Sequence, residues 1–147
     1  MRLAVSNIAW PANSDALIAP VLVAHGVEGI EVAPARVADQ PLETTAGQRA
    51  AYRDFWERRG LPIIAMQSLL FGRGDLTLFE SSSARKRTLE YLGAIIDLAA
   101  SLGARSLVFG SPKNRSRGKL TLGEADAIAI PFFQELGARA ERRGVVF

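Results

Sequence analysis

The sequence predicts a parallel α/β fold in which five strands alternate with four helices. Two observations carry this. First, an amphipathic stretch ends four times at a glycine and runs straight into a short apolar segment. The junctions are His25-Gly26-Val27, Arg59-Gly60-Leu61, Leu102-Gly103-Ala104 and Arg143-Gly144-Val145. Glycine just past a helix supplies the left-handed conformation that closes it. A β-branched or aromatic run directly afterwards reads as a buried parallel strand. Second, connections after helices are little more than one glycine, whereas those after strands are long and polar. In β/α enzymes that asymmetry gathers the site loops at the C-terminal strand ends.

The elements follow in order. Residues 2–8 form the opening strand, and Asn13 or Ser14 caps a helix over residues 15–25. Pro20 should kink that helix or mark its true start. Strand two spans residues 27–32 and leads into a long polar connection, residues 33–46. Loops of that length in compact domains tend to be functional. The second helix, residues 47–59, carries Tyr52, Phe55 and Trp56 at helical spacing, a pattern of core packing. Strand three covers residues 62–67. After a loop over 68–83, Ser82 or Ser83 caps a helix over 84–102, whose Leu89, Leu92, Ile96 and Ala99 share one face. Strand four, residues 106–109, opens into a basic loop over 110–119. Thr121 and Glu124 form a capping box for a helix that runs past Pro131 to about residue 143. Residues 145–147 begin strand five. The repeat is supersecondary, too irregular for a solenoid consensus.

Composition narrows the class. A length of 147 residues suits one domain. An eight-fold β/α barrel needs roughly 250 residues, whereas a doubly wound open sheet fits. No run of about 18 apolar residues is present, so nothing spans a membrane. The N-terminus lacks a secretory apolar core. With no cysteine, disulfides, thiolate catalysis and cysteine-ligated zinc are excluded, and a cytoplasmic location is expected. The net charge is +3 and the pI 9.8. Much of the excess is Arg58-Arg59 and Arg142-Arg143 near helix C-termini, where cations complement the helix dipole. No aromatic-interleaved basic stripe accompanies them, which argues against a nucleic-acid surface.

Four post-strand regions should converge on one face: residues 7–10, 31–36, 67–75 and 110–119. Glu31 is the candidate catalytic residue. A carboxylate at the end of an apolar strand is costly unless paired or exposed in a site. It would act as metal ligand, general base or hydroxyl acceptor, or else pair with Arg36. Gln67 ends strand three in the same way and either meets a sugar hydroxyl or satisfies neighbouring backbone. Ser111, Lys113, Asn114 and Arg115 form a loop suited to phosphate or carboxylate, without the glycine spacing of a Walker loop. Trp10 is an apolar wall for a sugar or a packing residue. His25, the single histidine, falls at a helix C-terminus as a cap. No histidine–carboxylate metal site and no Ser-His-Asp triad can be assembled.

The opening strand ending Ser6-Asn7-Ile8-Ala9-Trp10, the segment Gly26-Val27-Glu28-Gly29-Ile30-Glu31-Val32-Ala33-Pro34, and above all Leu107-Val108-Phe109-Gly110-Ser111-Pro112-Lys113-Asn114-Arg115 resemble the xylose-isomerase-like TIM-barrel superfamily. That group includes sugar-phosphate isomerases and epimerases and an apurinic endonuclease family. The resemblance covers the whole chain but only the first half of the family's barrel. It implies a half-barrel with strand order 1-2-3-4-5 and helices on the outer face, truncated within strand five; a flavodoxin-like doubly wound sheet is the alternative. It also implies a divalent-metal enzyme (Mn, Mg, Co or Zn) acting on a sugar or sugar phosphate. The metal ligands are expected from later strands, so none falls in this chain, which is expected to be inactive alone. Glu31, Gln67 and residues 111–115 carry over as substrate-side residues, followed by Trp10. Self-association through the uncovered sheet face, as a binding or assembly module, is the competing expectation; apurinic-endonuclease-like DNA repair ranks below both.

Overall fold

The computed structural model describes residues 3–147; Arg2, the expected first residue of strand one, lies outside them. Four parallel strands form one open sheet in the order β1-β2-β3-β4: β1 Ala4–Ser6, β2 Gly29–Val32, β3 Ile63–Met66 and β4 Ser106–Leu107. A doubly wound sheet would begin 2-1-3, so that alternative is excluded. The expected five strands become four plus one bridge. Val146 pairs in parallel with Ser106, on the side of β4 away from β3. Leu107 N–H donates to Val146 O at 2.8 Å and Val146 N–H to Arg105 O at 2.9 Å. The fifth segment therefore sits where the order 1-2-3-4-5 puts it, with too few ladder bonds to count as a strand. Phe147 secures it, its ring 5.9 Å from Phe109.

The strands are shorter than the sequence suggests: β1 and β4 give up their last residues to the loops, β2 starts two residues late at Gly29, and β3 loses one residue at each end. Asn7–Ala9, of which Asn7 and Ile8 were expected to end strand one, make a 3₁₀ turn. Gln67 keeps one ladder bond, its N–H donating to Val32 O at 3.1 Å.

The two sheet faces differ. Ile30, Val32, Ile63, Met66 and Leu107 are buried in one core with Trp56, Leu92, Ile96 and Leu136 from the helices. On the other face Ile64 is 38% exposed, Val108 48% and Val146 70%. Ile64 is the extra residue of a bulge: Ile30 pairs with Ile63, but Glu31 pairs with Ala65. Its side chain covers Gly29, where a Cβ would sit 2.9 Å from Ile64 Cγ2.

The helices are α1 Asp15–Ala24, α2 Pro34–Val37, α3 Ala46–Glu57, α4 Ser82–Leu102 and α5 Leu122–Arg142. Pro20 lies inside α1, and Ser14 stands at its N-cap without a side-chain cap bond. The single turn α2 falls in the connection expected to be irregular, with Pro34 near its start supplying the helical φ. A capping box of Thr45 and Gln48 opens α3 slightly earlier than expected. Ser81, just before the serines predicted, caps α4, accepting from Ala84 N–H at 3.1 Å. Thr121 and Glu124 form the predicted box on α5, which continues through Pro131. The Thr121 N–H bonded to the Glu124 carboxylate holds that group below its usual range. Gly103 closes α4 at φ +87°, in the left-handed region glycine favours. The aromatic stripe of α3 packs inward, with Trp56 fully buried.

Candidate functional site

Parallel register carries one row of residues across the uncovered face: Ser6 beside Glu31, Glu31 beside Ala65, and Ala65 beside Ser106. Glu31 is half-buried in this row. Among the described residues it makes no ion pair and no side-chain hydrogen bond. The anticipated pairing with Arg36 does not form, because Arg36 is engaged elsewhere. Its Nη2 donates to Asp15 Oδ1 at 2.7 Å and its Nη1 to the carbonyls of Asn7 and of Trp10, the latter at 2.6 Å.

Trp10 belongs to that same network. Its Nε1 donates to Asp15 Oδ1 at 2.7 Å, and its ring packs on the core. It holds the β1 loop to α1 and does not line the cleft described below. Fully buried Asn7 closes the network: its Oδ1 accepts from Ala33 N–H at 3.1 Å, and its Nδ2 donates to the Tyr52 hydroxyl at 3.1 Å. Burial pushes the Tyr52 hydroxyl up to about 12, so it stays neutral at physiological pH. This network fixes both the turn after β1 and the exit from β2, one residue beyond Val32.

The residues after β3 and β4 come together. Gln67, Ser111, Lys113 and Asn114 line one cleft of about 600 Å³ with Ser68, Phe71, Arg73 and Val108. Gln67 is held at both ends of its amide: Nε2 donates to Ser6 Oγ at 2.9 Å, and Ser68 Oγ donates to Oε1. Ser68 adopts φ +55°, unusual for a non-glycine residue, and so turns the chain sharply out of β3. Lys113 is exposed at the cleft rim.

Asn114 is 9% exposed and works as a staple. Its Nδ2 donates to the carbonyls of Arg73 at 2.7 Å and Leu76 at 2.8 Å, while its own carbonyl accepts from Leu78 N–H at 2.9 Å. Both amide protons are thus engaged within the protein, and Asn114 shapes the cleft from behind. Arg115 turns back on its own loop, Nε donating to Gly110 O at 2.8 Å. It lies outside the lining, as do Glu31 and Trp10.

Arg73 escaped the sequence reading. It makes a two-pronged pair with Asp75, at 3.0 and 2.9 Å, and its guanidinium stands 4.8 Å from the Tyr91 ring centroid. The Arg73 guanidinium holds the Asp75 carboxyl below its ordinary range. Burial raises the Tyr91 hydroxyl. The visible signal was Phe71-Gly72-Arg73-Gly74-Asp75, a loop with opposite charges two apart; its neighbours were not visible. His25 terminates α1 as expected.

Among the described residues, no three His, Cys, Asp or Glu side chains group closely enough to hold a metal ion. With Glu31 alone at its position, the residues present do not fit the divalent metal that the resemblance implies. Among the described residues no helix is long and apolar enough to cross a membrane.

An open parallel β/α sheet with its loops and cleft at the C-terminal strand ends defines part of a barrel of the TIM type. The family described as "Xylose isomerase-like TIM barrel" matches residues 20–147, and the chain belongs to that family. Among solved structures, D-psicose 3-epimerase from Clostridium cellulolyticum H10 with D-tagatose is similar at TM-score 0.72 and 11% identity, covering 99% of this chain and 50% of that one. The 3-keto-D-glucoside 4-epimerase YcjR from E. coli is similar at TM-score 0.70 and 17% identity, covering 99% and 54%. IolI with a bound zinc atom is similar at TM-score 0.67 and 15% identity, covering 99% and 49%. At these identities the likeness is one of fold. The chain spans about half the length of the solved structures it matches. No curated protein sequence matches it.

Proposed function

We propose that this chain carries the substrate-side part of a sugar or sugar-phosphate isomerase/epimerase site, acting in the cytoplasm. The observation that supports this is the cleft joining Gln67, Ser111 and Lys113 at the ends of β3 and β4. A few fixed polar groups on an otherwise apolar wall are what small-molecule sites use. Lys113 takes the anionic or polyol end of the substrate, and Gln67, Ser111 and the Asn114-shaped loop take hydroxyls. Glu31, facing the open sheet side without a partner, is the base for a proton beside a carbonyl. That chemistry also needs a group to hold the developing oxyanion. Lys113 offers positive charge, but among the described residues no group of three His, Cys, Asp or Glu side chains forms around Glu31. A divalent metal of the kind the family implies would need ligands from outside these residues.

The test is a titration of the 147-residue chain with D-fructose 6-phosphate, followed by a turnover assay. Binding should be measurable and about tenfold weaker in Lys113→Ala, as loss of one charge-assisted contact implies. Turnover should be absent with or without Mg²⁺, Mn²⁺ or Co²⁺. Failure to bind removes the sugar-site reading. Metal-dependent turnover lost in Glu31→Gln shows that the chain is catalytically complete.

A second reading is favoured by the exposed apolar residues Ile64, Val108 and Val146 on the helix-free face. Exposed apolar side chains gathered on one sheet face suit an interaction site, and the chain would bury them by self-association. Sedimentation should give a species larger than a monomer at micromolar concentration, shifted towards monomer by Val146→Glu. A well-behaved monomer of the native sequence would end that reading.

A further inference from the structure

We infer that Phe71 is the flat apolar platform of the cleft, against which the C–H face of a sugar ring lies while its anionic end reaches Lys113. The inference rests on the reading of the cleft as a sugar site and adds a residue that reading does not contain. Phe71 is 79% exposed, the most exposed large hydrophobic among the described residues. Its neighbours make that exposure imposed. Leu69 and Leu70 before it are 1% and 3% exposed, and Leu76 after it is 1% exposed. Arg73 is tied through its side chain to Asp75 and through its carbonyl to Asn114. Phe71 N–H itself donates to Ser68 O at 3.0 Å, in a turn that begins at the left-handed Ser68. Backbone in a sparsely populated region, held by its surroundings, is concentrated at ligand sites.

The ring is thus projected from a loop pinned on both sides, and it lines the cleft that holds Gln67, Ser111 and Lys113. A sugar ring has one face of C–H groups and an edge of hydroxyls. An aromatic face opposite an amide, a hydroxyl and an ammonium group complements both. Phe71 also lines a second cleft of about 370 Å³, with Pro41, Leu42 and Tyr91. The loop is therefore a wall with a ligand-accessible aromatic at its crest.

The experiment compares D-fructose 6-phosphate and inorganic phosphate binding to the full chain and to Phe71→Ala, Phe71→Leu and Phe71→Trp by calorimetric titration. Phe71→Ala and Phe71→Leu should bind the sugar phosphate about tenfold more weakly. Phe71→Trp should stay within about threefold of wild type, because it keeps a flat ring. Inorganic phosphate binding should be unchanged in all three. Equal sugar-phosphate affinity in wild type and Phe71→Ala overturns this inference and leaves the cleft reading intact. A parallel loss of inorganic phosphate also overturns it, since Phe71 would then be shaping the loop. No binding of the sugar phosphate to the wild type overturns both.

Discussion

Arg36→Met should destabilise the chain by about 3–5 kcal/mol, the range for breaking a largely buried ion pair by removing one partner. The Arg36 side chain is 13% exposed and that of Asp15 17%, so solvent screens little of the pair. One guanidinium serves three acceptors on two segments: the carbonyls of Asn7 and Trp10, and the Asp15 carboxylate. Methionine matches much of the aliphatic stem but supplies no donor. Asp15 would keep only Trp10 Nε1, and two carbonyls would lose their bond. Urea denaturation at constant m-value reads the change. Adding Asp15→Asn to the variant should recover part of the loss, because the uncompensated charge is then gone. A loss under about 1 kcal/mol would mean that water replaces the guanidinium and the network does not organise these loops. The effect should reach the site, because Asn7 in the same network fixes Ala33, two residues beyond Glu31.

Asn114→Ala should destabilise by about 2–3 kcal/mol, since two acceptors are left without their donor and each unsatisfied buried group costs about 1–3 kcal/mol. The acceptors are the carbonyls of Arg73 and Leu76, held at 2.7 and 2.8 Å. Partial access of water to the Arg73 end sets the lower figure. The bond from Leu78 N–H to the Asn114 carbonyl is backbone to backbone and survives. The variant should therefore fold with a loosened loop around residues 71–75. A lowered melting midpoint, together with faster proteolytic cleavage in that loop, is the expected pair of results. An unchanged cleavage rate would show that Asp75 and Tyr91 alone hold Arg73 in place.

Much of the scaffold was legible because its causes are local. Gly26, Gly60, Gly103 and Gly144 all take positive φ at the predicted junctions, since helix closure needs a left-handed residue and glycine adopts it without strain. The Thr121–Glu124 box was readable for the same reason: its partners are three residues apart. The cap of α4 fell one residue early, at Ser81, and α3 opened one residue early, at Ala46, as helix ends are where local signals compete. Strand extents were overestimated because strand ends depend on a neighbour's register and not on their own composition. Residues 145–147 read as a strand on hydrophobicity, yet they form one bridge on the far side of β4.

The site divides along the same line. By itself the sequence determined that Glu31 lies near a strand's C-terminal end and that Gln67 and the Ser111–Lys113–Asn114 loop follow strands, so that all share one end of a parallel sheet. Chain direction and β/α alternation are enough for that. Which of them touch was decided by tertiary structure. Gln67 meets Ser6 across 61 positions, and Asn114 grips a loop about 40 residues earlier. Arg36 turned from the adjacent Glu31 to Asp15 and the carbonyls of Asn7 and Trp10. A buried polar group takes whichever partners the packed fold brings within about 3 Å, and separation along the chain carries no information about those distances.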